Sequence, residues 1–177
     1  PRASHQPSVK SVGIFGQMTG SRSDFILADD IETPLNSMTQ GMRDRLSEGV
    51  KEFESIIKPS GKVIFLGTPQ CEQSLYNALP ERGYKKRIWT AKYPSSKQTA
   101  YFGKTLAPII YNAVELNPEL KDKPTEPTRF DKEDLDEREA SYGRSQFALQ
   151  FMLDSRISDA DRYPLKLSDL IITSINP

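Results

Sequence analysis

The chain has 177 residues, which is enough for one domain and marginal for two. Its 24 lysine and arginine residues balance its 24 acidic residues, so it has neither an overall basic field for nucleic acid nor an acidic tail. No apolar run approaches the roughly 20 residues that a membrane span needs, so we expect no membrane partner. One cysteine and one histidine exclude a disulfide framework and clustered thiolate or imidazole metal sites, which leaves carboxylates, lysine, arginine, hydroxyls and the backbone for chemistry.

Apolar runs predict four strands in the first half of the chain. Val9–Phe15 is mostly apolar and reads as a buried strand, and Phe25–Ala28 is a continuous apolar run without alternation, which is typical of strands buried on both faces of a parallel sheet. Val63–Leu66 is a third run of this kind. Tyr84–Tyr93 is rich in aromatic and β-branched residues and predicts a fourth strand, near an edge of the sheet.

Two helices are predicted between these strands. An apolar stripe at steps of three and four residues predicts one continuous helix over Asn36–Lys58, with capping-box spacing between Ser37 and Gln40. The helix is expected to stop at Pro59-Ser60-Gly61. A shorter helix is predicted over Glu72–Leu79. Helices that alternate with strands indicate an α/β fold with crossover connections.

The chain after Pro94 is predicted to be mostly helical. Gln98–Glu115 has helical character, with Pro108 kinking or splitting it. Asp131–Tyr142 reads as a charged helix that Asp131 caps, and Arg144–Leu153 as a separate helix. We therefore expect a sheet-bearing portion over residues 1–95 and a mostly helical portion over residues 96–177.

The strongest chemical signal is the pair of acids that follows the second strand. Four apolar residues and then Asp29-Asp30 form the pattern of a Walker B strand. A buried parallel strand delivers its carboxyl end to the ligand crevice of an α/β sheet, where Asp29 would hold Mg²⁺ and Asp30 would orient or deprotonate an attacking water. Glu32 is a second candidate for the base. The pattern alone fits a strand ending in a polar turn at least as well.

Two further positions are candidates for a phosphate site. Thr68 follows the third strand and Gly67, and its hydroxyl both donates and accepts, so it is suited to sensing a γ-phosphate; alternatively it caps the next helix. Arg22 lies on a glycine-rich loop before Asp29-Asp30 and is suited to stabilising transition-state charge, although most loop arginines are merely solvated.

Two other motifs are weaker. Gly103-Lys104-Thr105 imitates the end of a phosphate-binding loop, but the first glycine of that pattern is replaced by Gln98. Lys85, Lys86 and Arg87 beside Trp89 could touch nucleic acid, and an ordinary polar strand face is an equally good interpretation.

Several segments together closely resemble one protein family, the large terminase subunit (DNA maturase B) of short-tailed, autographivirus-type bacteriophages. These segments are Ser11–Arg22, the Asp29-Asp30 pair with Glu32, Val63–Gln70, Tyr84–Pro94, Arg129–Asp131, Phe147–Leu153 and Ser158–Leu167. The resemblance runs from about residue 5 to about residue 172.

The resemblance implies a motor that uses ATP and Mg²⁺ to pump double-stranded DNA into a preformed capsid. Residues 1–95 would be the C-terminal half of a RecA-like P-loop ATPase domain, and residues 96–177 a helical linker subdomain leading to a nuclease. Asp29 would be the magnesium-associated acid, Asp30 the catalytic carboxylate, and Gly67-Thr68 the coupling motif. Arg22 would reach the ATP of a neighbouring subunit.

The resemblance also implies partners and a location. The subunit would associate into a ring, contact the portal protein and the small terminase subunit, and work in the host cytoplasm while docked on the procapsid. A Walker A loop and a nuclease domain are not found in the sequence, so we expect a middle portion of the subunit that is inactive alone. The alternatives are a non-catalytic assembly module that binds portal or small terminase, and a helicase-type ATPase unrelated to packaging.

Overall fold

The computed structural model describes residues 7–157, and the chain divides into two compact units between Gly67 and Thr68. This break falls before the segment predicted as the fourth strand. The assignment of residues 1–95 to an ATPase portion and 96–177 to a linker stays a prediction. His5 and the Ser158–Leu167 segment lie outside the described residues.

The first unit is a strand–helix–strand crossover. It contains β1 (Ser23–Asp29), the short α1 (Pro34–Ser37), α2 (Gln40–Ile56) and β2 (Ile57–Leu66). β1 and β2 pair in parallel, with a register that runs from Phe25 opposite Lys62 to Asp29 opposite Leu66. The strands predicted at Phe25–Ala28 and Val63–Leu66 are therefore confirmed, as is the α/β class with a parallel sheet.

One face of this two-stranded sheet packs on α2. The buried face of the helix consists of Leu46, Val50, Phe53 and Ile56. The rings of Phe53 and Phe65 lie 5.8 Å apart, and Ala28 is buried on β1. The strand residues that alternate with this inner face are about half exposed: Phe25, Leu27, Ile64 and Leu66. The sheet is thus covered on one side among the described residues, whereas the apolar runs predicted burial on both sides.

The predicted Val9–Phe15 strand is wrong. The segment makes no strand pairing and turns at Gly13–Gly16, where the Gly16 N–H donates to Gly13 O at 2.7 Å. Phe15 instead lies against α2, with the Arg45 guanidinium 4.6 Å from its ring centre. The backbone therefore bends before a strand can form.

The helix predicted over Asn36–Lys58 is present but shorter and interrupted. α2 begins after Thr39, whose side chain accepts a hydrogen bond from the Met42 N–H at 3.3 Å, so Thr39 and not Ser37 is the cap. The helix ends at Ile56, two residues before its predicted end at Lys58, and Pro59-Ser60-Gly61 lies within β2, which begins directly at Ile57. A register shift opposite Ser23 and Phe25 absorbs the proline, whose nitrogen has no hydrogen to donate to the strand ladder.

The second unit is mainly helical. It contains α3 (Leu75–Ala78), α4 (Ser96–Phe102), α5 (Pro108–Leu116) and α6 (Lys132–Gln150), with 3-10 turns at Leu79–Arg82, Gly103–Thr105 and Pro118–Leu120. The predicted split at Pro108 is confirmed, because this proline opens α5. Asp131 caps α6 as predicted, and its side chain accepts from the Asp134 N–H at 3.0 Å. α6 is broken at Gly143 (φ 74°), which confirms two helical pieces.

The predicted strand at Tyr84–Tyr93 is wrong in its pairing. Within residues 7–157 the segment forms isolated bridges and no longer ladder, from Ile88 to Leu106 and from Lys92 to Pro124. Its backbone forms hydrogen bonds with one neighbouring segment at Ile88 and with other segments at later residues. No continuous ladder of strand hydrogen bonds therefore develops. The β-branched residues serve instead as core: Ile88 and Thr90 are buried.

Two apolar clusters stabilise the second unit. One consists of Ile88, Phe102, Leu106, Ala107 and Ile110. The other consists of Leu135, Phe147 and Met152. Each provides the burial that a short, loop-rich unit needs.

Lys92 ties the Tyr84–Tyr93 segment to α6. Its ammonium lies 2.8 Å from Glu139 and 3.3 Å from Asp136, and 4.9 Å from the centre of the Phe147 ring. Burial by itself would lower the pKa of Lys92, but hydrogen bonds and charge from Glu139 and Asp136 outweigh it and raise that pKa. The charged form of Lys92 is therefore stabilised in the folded unit. Among residues 7–157, no helix is long and apolar enough to cross a membrane.

Candidate functional site

The acid pair lies at the carboxyl end of β1. Asp29 is the last residue of the strand and pairs in register with Leu66, the last residue of β2. The Asp30 N–H donates to Leu66 O at 3.0 Å, which extends the pairing by one residue. Both acids are exposed. Two carboxylates therefore stand open to solvent where the two parallel strands end together, as the sequence predicts.

Asp30 adopts an unusual backbone conformation. Its φ is 45°, in the left-handed region that few residues other than glycine, asparagine and aspartate tolerate. This turn takes the chain sharply away from the strand. A positive φ at a non-glycine residue costs energy and persists only where the surrounding structure holds it. Such conformations cluster at functional sites.

Glu32 is positioned by a clamp that the sequence interpretation missed. Asn36 Nδ2 donates to Ile31 O at 2.8 Å, and the Thr33 N–H donates to Asn36 Oδ1 at 2.8 Å. One side chain thus fixes the backbone on both sides of Glu32, which is only 2% exposed. The signal was the Thr33-x-x-Asn36 spacing before α1, which has the form of a capping box with asparagine in place of glutamate.

The α1 end of this turn is held by two more contacts. The Ser37 hydroxyl donates to Thr33 O at 2.7 Å, and Arg43 Nη1 donates to Ser37 O at 2.8 Å. The loop that carries Asp30 and Glu32 is therefore fixed from its far end by α1 and the first turns of α2. Such a supported loop keeps its carboxylates in place.

Gly67 and Thr68 flank the break between the compact units. Gly67 is exposed and directly follows β2. The last residue of β2, Leu66, accepts the hydrogen bond from the Asp30 N–H. Thr68 is half-buried and opens the second unit, where Gln70 Nε2 donates to its carbonyl at 3.1 Å. The predicted coupling motif thus coincides with the place where one unit stops and the other starts.

The structure does not bring Arg22 to the acids of its own chain. Arg22 directly precedes Ser23, at the amino end of β1, so the strand itself separates it from Asp29 by roughly 20 Å. Its Nη1 donates to Ser55 O at 2.7 Å, in the last turn of α2. The guanidinium there satisfies a carbonyl that the helix end leaves open and complements the negative end of the helix dipole.

The donor set of the acid pair suits Mg²⁺. Magnesium is usually held by one or two carboxylates and completes its shell with water and phosphate oxygens, and Asp29 and Asp30 are exposed side by side. Within residues 7–157, no group of three or more acidic, cysteine or histidine side chains gathers as a metal site. Gly103-Lys104-Thr105 forms a 3-10 turn between α4 and α5. Cys71, the single cysteine, is buried.

The fold and the position of the acids define an α/β protein with carboxylates at the ligand edge of a parallel sheet. No known family profile matches the chain. The chain is 51% identical to the terminase large subunit of Enterobacteria phage T3 over 177 residues, an alignment that covers 97% of this chain and 30% of that protein. The match confirms the resemblance to a large terminase subunit, and the chain spans about 30% of the relative's length.

Proposed function

We propose that this chain is part of a viral DNA-packaging motor that couples ATP hydrolysis to the movement of double-stranded DNA into a preformed capsid. The observation that carries the proposal is the exposed Asp29-Asp30 pair where β1 and β2 end side by side. Support comes from the 51% identity to a terminase large subunit along almost the whole chain. The crossover of the first unit would then be part of a RecA-like ATPase domain.

The acids divide the work in this proposal. Asp29 would hold Mg²⁺, which would supply charge neutralisation at the phosphates. Asp30 accepts a proton from the attacking water. The buried position of Glu32 supports this order, since Asp30 is exposed whereas Glu32 is 2% exposed. In the proposed motor the ATP-binding loop, the nuclease and the contacts to portal and small terminase lie on other parts of the longer protein.

Gly67-Thr68 would transmit the result of hydrolysis. β2 begins after α2, ends beside Asp30, and leads directly into the break between the compact units. A change at the acids would reach Leu66 through one backbone hydrogen bond and then Gly67. We assign Thr68 to sensing the γ-phosphate. The motor would work as a ring in the host cytoplasm, docked on the procapsid, with Arg22 acting on a neighbouring subunit.

The test is ATP hydrolysis by the complete subunit that contains this segment. Asp30→Asn is expected to lower turnover about a hundredfold or more while ATP binding persists, because the amide cannot take the proton. Glu32→Gln is the matched comparison, since it also replaces a carboxylate with an amide. Full turnover in Asp30→Asn with loss in Glu32→Gln would move the base by two residues. Full turnover in both would favour the non-catalytic assembly module.

A further inference from the structure

The outer side of the Tyr84–Tyr93 segment carries a row of three exposed side chains that the proposed hydrolysis does not use. Lys85 and Arg87 are exposed, and Trp89 is 61% exposed. They alternate with inward side chains, of which Ile88 and Thr90 are buried. We call Lys85, Arg87 and Trp89 the basic row.

The inner side of the segment holds the basic row in place. The Ile88 N–H donates to Thr105 O and the Ile88 carbonyl accepts from Ala107, both at 2.8 Å. Lys86 donates to Asn77 Oδ1 on the inner side, and burial lowers its pKa. The backbone is therefore fixed on one side, so that the outer side chains are presented together rather than as a loose loop.

The two cations of the basic row have no acidic partner within the described residues 7–157. Among residues 7–157, Lys85 and Arg87 form no ion pair, and Arg87 donates only to a backbone carbonyl, that of Lys86 at 2.9 Å. Side chains two residues apart on an extended backbone are about 6.5 Å apart. The row is thus a short line of positive charge that ends in an open aromatic ring.

We propose that the basic row binds single-stranded DNA, with Lys85 and Arg87 on its phosphates and a base stacked on Trp89. Grooves that bind single strands combine cations along the backbone with aromatic rings under the bases. A duplex offers phosphates but keeps its base faces stacked, so it would leave the exposed indole without its partner. The proposal goes beyond the motor function, because it depends on neither Asp30 nor ATP.

The chain contains its own probe for this proposal. Trp89 is the single tryptophan, so indole fluorescence reports on the basic row alone. Titration of the full chain with a single strand of about 16 nucleotides is expected to quench this fluorescence, and a duplex of the same sequence is expected to quench it less. Equal or stronger quenching by the duplex would overturn the proposal, as would no quenching by either.

Variants assign the binding to the named side chains, with labelled single strand and anisotropy as the readout. Lys85→Ala with Arg87→Ala should lower the dependence of log affinity on log salt by about 0.7 for each cation removed. Lys121→Ala with Lys132→Ala removes the same charge elsewhere in the unit and should leave that slope unchanged. Trp89→Ala should weaken binding about tenfold to a hundredfold, and Trp89→Phe should retain most of it.

The outcomes separate this proposal from the motor function. If the row variants and the control variant bind alike, the basic row is not the site, whatever Asp30→Asn does to hydrolysis in the complete subunit. If the row variants lose binding while Asp30→Asn and Glu32→Gln both hydrolyse ATP normally, the basic row stands and the motor proposal fails.

Discussion

Removal of the Asn36 side chain tests whether the acid-bearing turn is held as described. Asn36→Ala deletes two hydrogen bonds, one to Ile31 O and one from the Thr33 N–H, each 2.8 Å long. At about 1 kcal/mol each the loss is about 2 kcal/mol, and alanine regains about 0.5 kcal/mol through its higher helix propensity. We therefore expect the turn to be about 1.5 kcal/mol less stable, and the Thr33 amide to exchange with solvent roughly tenfold faster.

The assay is native-state hydrogen exchange measured by NMR. Asn36→Asp keeps an acceptor for the Thr33 N–H and adds negative charge near a helix N-terminus, so its Thr33 amide should stay nearer to wild type than in Asn36→Ala. Asn112→Ala, which shortens an exposed asparagine on α5, is the control and should leave this amide unchanged. Wild-type exchange at Thr33 in Asn36→Ala would refute the clamp.

Three more perturbations follow from contacts in the two units. Lys92→Met should lower the free energy of unfolding by about 1 kcal/mol at neutral pH. Because the pKa of Lys92 is raised in the folded state, its contribution to stability is complete below the ordinary lysine pKa and is lost as pH rises beyond that value. Urea titrations at increasing pH should therefore show the wild type losing its advantage over Lys92→Met. Leu135→Ala, at a fully buried position, should cost about 2–5 kcal/mol in the same titration, and a cost below 1 kcal/mol would contradict its place in the core. Arg22→Ala should lose hydrolysis in rings of the complete subunit, and mixing with Asp30→Asn subunits should restore part of it; no recovery in hybrid rings would confine Arg22 to its bond with Ser55 O.

The sequence predicted the position of the Asp29-Asp30 pair at the carboxyl end of a strand. Phe25–Ala28 followed by two acids needs only local information, because an apolar run forms the strand and its end must carry the next residues to the sheet edge. The paired end of β2 followed for the same reason. The left-handed Asp30 was not predictable, since many acids follow strands without a positive φ.

Pairing partners decided where strand prediction failed. Val9–Phe15 and Tyr84–Tyr93 have strand-like composition, but a strand exists only when a neighbour supplies a continuous ladder. Phe15 instead lies against α2 near Arg45, and Ile88 forms a single β-bridge with Leu106. Composition reports which side chains suit a sheet and carries no information on which backbone lies beside them.

Proline and glycine marked two helix boundaries that the sequence predicted. Pro108 opens a helix because its ring is excluded from a helix interior, and Gly143 breaks one at a positive φ that its missing Cβ allows. Pro59 was expected to end the helix; α2 ends at Ile56, and Pro59 itself lies in β2, where a register shift opposite β1 accommodates it. Asn36 was overlooked because α1 has only four residues and no apolar period to draw attention to its start.

During translation the ribosome delivers the whole first unit before any of the second. β1, α2 and β2 are consecutive, so their contacts close early and need no distant segment. Among the described residues, this unit leaves one apolar sheet face exposed, formed by Phe25, Leu27, Ile64 and Leu66. Exposed apolar surface of this kind recruits chaperones and promotes aggregation of newly made protein. Expression yield should therefore depend on this face. Leu27→Thr with Ile64→Thr introduces threonine, which is β-branched and suits a strand, and should raise the monomeric fraction.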